Sequence, residues 1–364
     1  MVRCLVDGVH GAFCSCKSPD RYRQRPVGGV AGFCAVAEAH HRGRPQAVPL
    51  LGGFPLRRGS SSWCSAGGRS DFRVVPHTVT SRIVVIGAGL GGLATSALLA
   101  RAGHDVTVLE GQDWVGGKSR RIEVAGQRID TGPSLVTFPD VLEQIFDTYD
   151  EVGPTTSKAG DIAGITLERL PEVGRYYFKD QQANLPVEAG HPWHESWARF
   201  ERENGQLGPA ITNLLTTDPT DPGILGAVLR LLSRYGTKLT TQAYLDSLSW
   251  MPDDVKDVVA IHTLNAGVAP DQTLALYASM AAVMSSDGVY VPRGGVYEIA
   301  KGLEALALHA GVTIHTSEPV VSVRKGLVTT ERAAYDADYV VSALDGGILE
   351  GLLGKQAPAP KVLS

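Results

Sequence analysis

Cysteine vanishes from this 364-residue chain after position 64. All five cysteines, Cys4, Cys14, Cys16, Cys34 and Cys64, lie before that point, so disulfides have no part in whatever folds beyond it. A reducing cytoplasm fits this usage. Long apolar runs are also missing: no segment offers 18 uninterrupted apolar residues, and no transmembrane helix is predicted. Nor is there an excess of positive charge. A net charge of -4 argues against general nucleic-acid binding. The Cys14-x-Cys16 pair has no partner motif at metal-site spacing, which argues against zinc.

What the chain does contain is unevenly spread. Its length allows two domains, its 43% hydrophobic content allows a sizeable core, and 42 glycines point to many tight turns. Residues 1–79 hold eleven Lys/Arg against four Asp/Glu, a balance of +7, whereas the remainder holds 23 against 34, a balance of -11. This seam marks residues 1–79 as a leader without helical or strand periodicity. The expectation is a disordered extension, or the product of a start codon placed too far upstream of Val79. The alternative is a secretory signal, because Arg21, Arg23 and Arg25 precede an apolar run from Val27 to a small-x-small site at Ala35-Val36-Ala37. Three glycines in that run and its late start weigh against it.

From Arg82 the pattern becomes legible. Ile83-Val84-Val85-Ile86 is all apolar, as expected of a parallel strand buried on both faces. Leu90, Leu93, Ala94, Ala97 and Leu98 then recur at helical spacing until Gly103, and Val106-Thr107-Val108-Leu109 reads as a second buried strand. This is a β-α-β unit with a right-handed crossover. Residues 121–138 read as short strands and turns, and 139–149 as a helix. A strand pair is expected at 165–170 and 176–178, with helices at 223–235, 239–249 and from Pro252 to about 264, and a buried run over 271–285. The α/β pattern returns with a helix over 296–309 and strands at 312–314, 320–323 and 339–342. The tail from Ala357 reads as a linker or frayed end.

Between the first strand and helix, Gly87-Ala88-Gly89-Leu90-Gly91-Gly92 fits G-x-G-x-x-G. Gly87 allows the tight turn, Gly89 lets backbone approach a pyrophosphate, and Gly92 lets the helix press on the sheet. The helix N-terminus offers free N–H groups and about half a positive charge to phosphates. Glu110 ends the second strand, placed to accept hydrogen bonds from ribose hydroxyls, and an acid there argues against a 2′-phosphate and so against NADP. The motif itself serves NAD and FAD alike.

Five residues separate Glu110 from Gly116-Gly117-Lys118. The whole run, through Leu93, Leu99, Gly103, Glu110, Gly116 and Gly117, resembles the extended dinucleotide-binding motif of the amine-oxidase and phytoene-desaturase flavoproteins, which implies FAD. Ser96 stands where that family usually has alanine. Lys118 replaces its arginine, keeping the charge but giving up bidentate phosphate geometry. Arg128-Ile129-Asp130-Thr131-Gly132-Pro133-Ser134 resembles the Phe-Asp-Ala-Gly-Pro-Ser/Thr segment of carotenoid desaturases, which lies near the flavin. Tyr290-Val291-Pro292-Arg293-Gly294-Gly295, with Gly302 and Leu303 in the helix beyond, is similar to the passage where the family's chain returns to its FAD domain. Thr316–Val323 is similar to the strand against the adenine, with Val320 at the contacting position, and Ala337–Ser342 resembles the family's closing strand. The resemblance spans about 80–345. Gly-Gly-Lys, with the run from Val124 to Asp130, is most like the desaturases that act on hydroxylated carotenoids at the 3,4 carbon pair.

The resemblance implies an α/β fold: a Rossmann-like FAD-binding domain over 80–150 and 290–345, and a discontinuous α+β substrate domain over 151–289, with a tail over 346–364. It implies dehydrogenation of an acyclic carotenoid, a hydrophobic polyene, in an apolar tunnel. A carotene isomerase, ketolase or amine oxidase is the alternative within flavoproteins, and an inactive fragment the alternative outside them. No metal, Ser-His-Asp or paired-carboxylate set demands a catalytic role, so the sequence assigns no acid or base. His191-Pro192-Trp193-His194 reads as a loop, since Pro192 interrupts a helix. Ile224, Leu225, Val228, Leu229, Leu231 and Leu232, beside Arg230 and Arg234, fit either an interfacial helix giving peripheral contact with the inner face of a membrane or a core helix. Family members continue past Ser342-Ala343 into a glycine-rich segment that closes on the flavin. None is recognisable here, so a C-terminally truncated fold is expected, with the remaining portion separately encoded or lost to a frameshift.

Overall fold

The computed structural model describes residues 36–38, 80–153, 157–179, 181–217 and 220–354; for 36–38, 265 and 266 only the backbone is described. In chain order, strand β1 is Val36–Glu38, followed by β2 (Arg82–Ile86), helix α1 (Leu90–Arg101) and β3 (Asp105–Leu109). Strands β4 (Arg121–Val124) and β5 (Gln127–Asp130) form a hairpin, and helices α2 (Pro139–Val152) and α3 (Ala159–Ala163) follow. Strands β6 (Leu167–Arg169), β7 (Gly174–Phe178) and β8 (Gln181–Leu185) lead into six helices. These are α4 (His194–Asn204), α5 (Gly208–Thr216), α6 (Ile224–Tyr235), α7 (Thr241–Asp246), α8 (Asp253–Ala260) and α9 (Met280–Asp287). Strand β9 (Tyr290–Pro292) returns the chain to α10 (Tyr297–His309), β10 (Thr313–His315), β11 (Val320–Arg324), β12 (Leu327–Thr330), β13 (Ala334–Asp336), β14 (Tyr339–Ser342) and α11 (Gly346–Leu352).

The main sheet runs β1-β14-β2-β3-β10, with β14, β2, β3 and β10 mutually parallel and β1 antiparallel at the edge. The apolar run in β2 has a simple cause. Successive side chains of a strand point to opposite faces, and here both faces are covered. Ile83 and Val85 pack with Leu93 and Ala97 of α1 and Leu306 of α10, whereas Val84 and Ile86 pack with Val323 and Val328 of the antiparallel β11-β12-β13 sheet. The site-bearing turn therefore rests on a strand gripped from both sides.

A second core gathers the helices between Ala183 and Val283 around Trp197 and Phe200. At its centre a polar residue, Asn204, is fully buried. Its Oδ1 accepts from Tyr244 Oη at 2.8 Å, Ser279 Oγ at 2.9 Å and Arg234 Nε at 3.2 Å, and its Nδ2 donates to Phe200 O at 2.9 Å. These bonds at both ends of the amide make its burial tolerable, and they tie α4, α6 and α7 in one arrangement.

Several sequence expectations need correction. The stretches 165–170 and 176–178 are not a pair: β6 pairs with β9, and β7 with β8. The strand read at 320–323 is present as β11, but the family-like run over Thr316–Val323 is not extended throughout: Ser317 adopts a left-handed φ of 52°. Helix α7 is six residues long, shorter than 239–249. Although assigned by its position to the stretch after residue 150, α3 packs against α10: Ala159 is buried in the same core as β2, and Gly302 leaves room for Ile165 and Ala163. Within the leader, Val36–Glu38 pairs with β14, so those three residues are not structureless; the other leader residues and the tail beyond 354 lie outside the described residues.

His262, 6% exposed, meets Tyr176 Oη at 2.9 Å through its Nε2. Burial pushes its pKa down to about 4 from 6.5 and that of Tyr176 up to about 12. The neutral ring is thus the folded form. As pH falls from 6.5 toward 4 the unfolded chain gains a proton that the folded chain refuses, and stability drops by about 3 kcal/mol in full below that window. Urea unfolding at pH 7 and 4.5 checks this. His262→Gln should flatten the acid side of the stability profile relative to wild type, and parallel profiles would contradict the assignment.

Candidate functional site

The site is built where β2 ends. Gly87 takes φ 100°, a conformation open to glycine, and its N–H bonds Leu109 O at 2.8 Å, which turns the chain back across β3. Gly92 lies one turn into α1, and a Cβ there would overlap the carbonyl oxygen of Gly87. Glycine is thus demanded at both positions by geometry, as the motif predicts. Gly89 occupies the N-cap of α1, which has no side-chain cap, so the first-turn N–H groups at Leu90, Gly91 and Gly92 meet no capping side chain.

Glu110 supports this turn from below. It is 9% exposed, its Oε2 accepts from Ala88 N at 2.8 Å and its Oε1 from Gln112 N at 2.9 Å. Each carboxylate oxygen has a second lone pair, so these bonds leave acceptor capacity for a ribose hydroxyl. The following loop folds directly over the glycine turn. Gly116 N donates to Ala88 O at 2.7 Å, and Gly89 and Gly116 form a parallel bridge. A Cβ on Gly117 would come within 3.1 Å of Gly89 Cα. Lys118 follows, largely exposed, with Nζ 4.0 Å from Asp345 Oδ2.

The remaining expected site residues converge on the same place. Gly132 abuts the backbone of Lys118 and Ser119, and exposed Pro133 follows it. Val320 is half-buried at the start of β11. The segment before it is bonded to the end of β3, with Glu318 N to Glu110 O at 2.8 Å and Ser317 N to Gln112 O at 2.7 Å. The two family-like segments around Asp130 and Gly294 are far apart in sequence but adjacent in space. Arg121 joins them, its Nε donating to Asp130 Oδ1 at 2.6 Å and its Nη1 to Glu298 Oε1 at 2.7 Å. Its hydrogen bonds to Asp130 raise the Arg121 pKa. Burial works to raise the Asp130 and Glu298 carboxyls, but the combined hydrogen bonds and positive charges around them hold both below their ordinary values: Arg121 and the backbone N–H of Tyr297 for Asp130, Arg121 and Lys301 for Glu298.

Sequence reasoning missed Arg121 and also Trp114. Trp114 stacks under Arg120, whose guanidinium carbon is 4.1 Å from its ring centroid, and its buried Nε1 meets no hydrogen-bond partner among the described residues. Both sit within a few residues of Gly116-Gly117-Lys118, which is the one hint the sequence offered. Conversely, His191 and His194 are engaged by backbone, with His191 Nε2 3.1 Å from Gln182 O and His194 Nδ1 2.8 Å from Val187 O. Among the described residues no group of three His, Cys, Asp or Glu side chains is arranged to hold a metal ion.

An uncapped helix N-terminus, a turn closed by glycine against glycine, a buried acid beneath it and an orphaned indole N–H nearby together fit a dinucleotide. The fold and site define a dinucleotide-binding protein of the α/β class. The model of the flavin-containing amine oxidoreductase family matches residues 90–362, and the chain belongs to that family, whose cofactor is FAD.

Among curated relatives, phytoene dehydrogenase of Streptomyces griseus is 26% identical over 324 residues, covering 76% of this chain and 57% of the relative. The zeta-carotene-forming phytoene desaturase of Myxococcus xanthus is 28% identical over 283 residues, 72% and 52% of the two chains. Carotenoid 3,4-desaturase of Haloarcula japonica is 29% identical over 264 residues, 67% and 50%. The chain therefore spans about half the length of the curated relatives it matches. Wild-type putrescine oxidase bound to putrescine shares the fold, with a TM-score of 0.50 at 17% identity over 78% of this chain and 62% of that one.

Proposed function

We propose that this chain serves FAD-dependent desaturation of an acyclic carotenoid. The observation that carries the reading is the glycine turn at 87–92, with Glu110 beneath it and Gly116-Gly117 across it, in a chain whose relatives are phytoene and carotenoid desaturases. In this reading the N–H groups of Gly89, Leu90, Gly91 and Gly92 face the pyrophosphate, where the partial positive charge of the α1 N-terminus favours anions. Glu110 accepts from the ribose, Lys118 adds a mobile positive charge, Val320 lies against the adenine, and Gly132-Pro133 borders the flavin ring. Bound there, FAD supplies the acceptor for the hydride equivalent lost when a C–C bond becomes C=C, while the second hydrogen leaves as a proton.

Residues 80–150 and 290–345 then form the cofactor unit, and 151–289, less α3, the part that meets the polyene. Its task is to orient an apolar substrate and exclude water. Double bonds at the 3,4 pair of a hydroxylated carotenoid are the preferred product. Expression of the full chain in a host that accumulates acyclic carotenoids tests this. The expected result is a yellow protein with near-stoichiometric flavin absorbance and a red shift in the extracted pigment. Colourless protein with unchanged pigment would contradict it.

The same reading places α6 on a membrane surface that supplies the polyene. No helix among the described residues is long and apolar enough to cross a membrane. On α6, however, Leu225 and Leu229 are each 57% exposed and Leu232 is 50% exposed, one stripe at helical spacing, with exposed Arg230 beside it. Co-sedimentation with anionic phospholipid vesicles should fall sharply in the triple variant Leu225→Ser, Leu229→Ser, Leu232→Ser. Equal pelleting of variant and wild type would remove α6 from the contact.

A further inference from the structure

Arg121 engages all three nitrogens of its guanidinium. Four contacts radiate from it: Nε to Asp130 Oδ1 at 2.6 Å, Nη2 to Asp130 Oδ2 at 3.3 Å, Nη1 to Glu298 Oε1 at 2.7 Å and Nη2 to Gly294 O at 2.5 Å. Its guanidinium carbon also lies 5.2 Å from the Tyr297 ring centroid. Asp130 in turn accepts from Tyr297 N at 3.0 Å, so a carboxylate from the β4–β5 hairpin serves the N-terminus of α10, whose own N-cap Val296 provides no side-chain bond. A lysine cannot reproduce this arrangement, because its three donors leave a single point rather than a planar fork.

The three segments gripped are the three that frame the cofactor site. Arg121 opens β4, three residues after Lys118. Asp130 closes β5, two residues before Gly132. Gly294 and Glu298 flank the start of α10, whose Tyr297 Oη donates to Val115 O at 3.3 Å beside the Gly116 loop. Partly buried ion pairs contribute little net stability, since desolvation offsets the attraction, and their best-supported use is to select one geometry. Here the selected geometry is the contact between the loop at 116–118 and the turn at 132–133, where Gly132 lies against the backbone of Lys118.

We propose that Arg121 is a positioning residue for the flavin: its fork fixes how the Gly116–Lys118 loop and the Gly132–Pro133 turn meet, and through that contact the placement of both segments against the cofactor. The inference rests on the FAD reading above, but the fork acts on the ligand-free chain as well, so the two are separable. Asp130 and Glu298 are the fork's anchors. Lys301, 2.9 Å from Glu298 Oε2, balances the second carboxylate without touching the three segments together.

The test uses the full-length chain, Arg121→Lys, Arg121→Gly and Asp130→Asn. Hydrogen exchange without FAD comes first. In Arg121→Lys the amides of Gly116, Ser119, Thr131 and Tyr297 should exchange faster, while those of β2 and α4 hold. Next, FAD titration followed by flavin fluorescence and visible circular dichroism should show binding at least about tenfold weaker in Arg121→Lys, as expected for the loss of charge-assisted bonds, with an altered dichroic band. In Arg121→Gly, added ethylguanidinium should restore affinity and band shape where ethylammonium does not. A general loss of packing would raise exchange everywhere and resist such rescue, and that outcome overturns the proposal; so does wild-type behaviour of Arg121→Lys and Asp130→Asn in both measurements. Should wild type hold no FAD at all, the flavin reading falls, and exchange at the four amides still decides whether the fork sets the loop.

Discussion

A buried carboxylate holds the site together. Glu110 lies at the end of β3 with no cation bonded to it among the described residues, and the charge is tolerated because backbone N–H groups from two sides point at it: Ala88 from the glycine turn and Gln112 from the following loop. Its own backbone extends the junction, with N bonded to His315 O of β10 and O accepting from Glu318 N. One residue therefore ties the turn after β2, the end of β3, β10 and the approach to β11. Replacing Glu110 by an apolar residue would leave the N–H of fully buried Ala88 unpaired, and the glycine turn would lose its floor.

From that junction the architecture of the site follows. The turn is rigid because β2 is packed on both faces, against helices on one and against β11–β13 on the other. The Gly116-Gly117 loop can lie on the turn because neither side carries a Cβ where they meet. The loop is held by Tyr297 from α10, and α10 is held to the hairpin by Arg121 and Asp130. Each contact is modest alone. Together they bring a positive helix end, a buried acid and a contact between Cβ-free glycines to one place, which is what a dinucleotide needs.

The parts of this arrangement that were legible in the sequence are those whose physics is local. Ile83–Ile86 declared a doubly covered strand by having no polar residue, the spacing of Leu90, Leu93, Ala94 and Ala97 declared a helix, and Gly87, Gly89 and Gly92 were required by a turn that local geometry defines. Glu110 was found because the strand that carries it is short and unambiguous. The rest was hidden where partners are distant in sequence. Nothing local says that Leu167–Arg169 will pair with Tyr290–Pro292 in place of Tyr176–Phe178. Arg121, Asp130 and Glu298 are ordinary charges until the fold brings them together across as many as 177 positions. Ser317 carries no mark of its left-handed backbone. The buried amide of Asn204 breaks the apolar pattern of its core, which periodicity reads as a surface position.

The claim beneath all of this is that the turn at 87–92 receives a pyrophosphate while Glu110 receives the adjoining ribose. The most direct measurement is a crystal structure of the chain grown with FAD. Phosphate oxygens within hydrogen-bonding distance of the backbone N–H groups of Gly89 to Gly92, with ribose hydroxyls on Glu110 and adenine beside Val320, is the expected result. A cofactor lodged elsewhere, or a turn whose amides stay closed to it while Glu110 faces away, would contradict it.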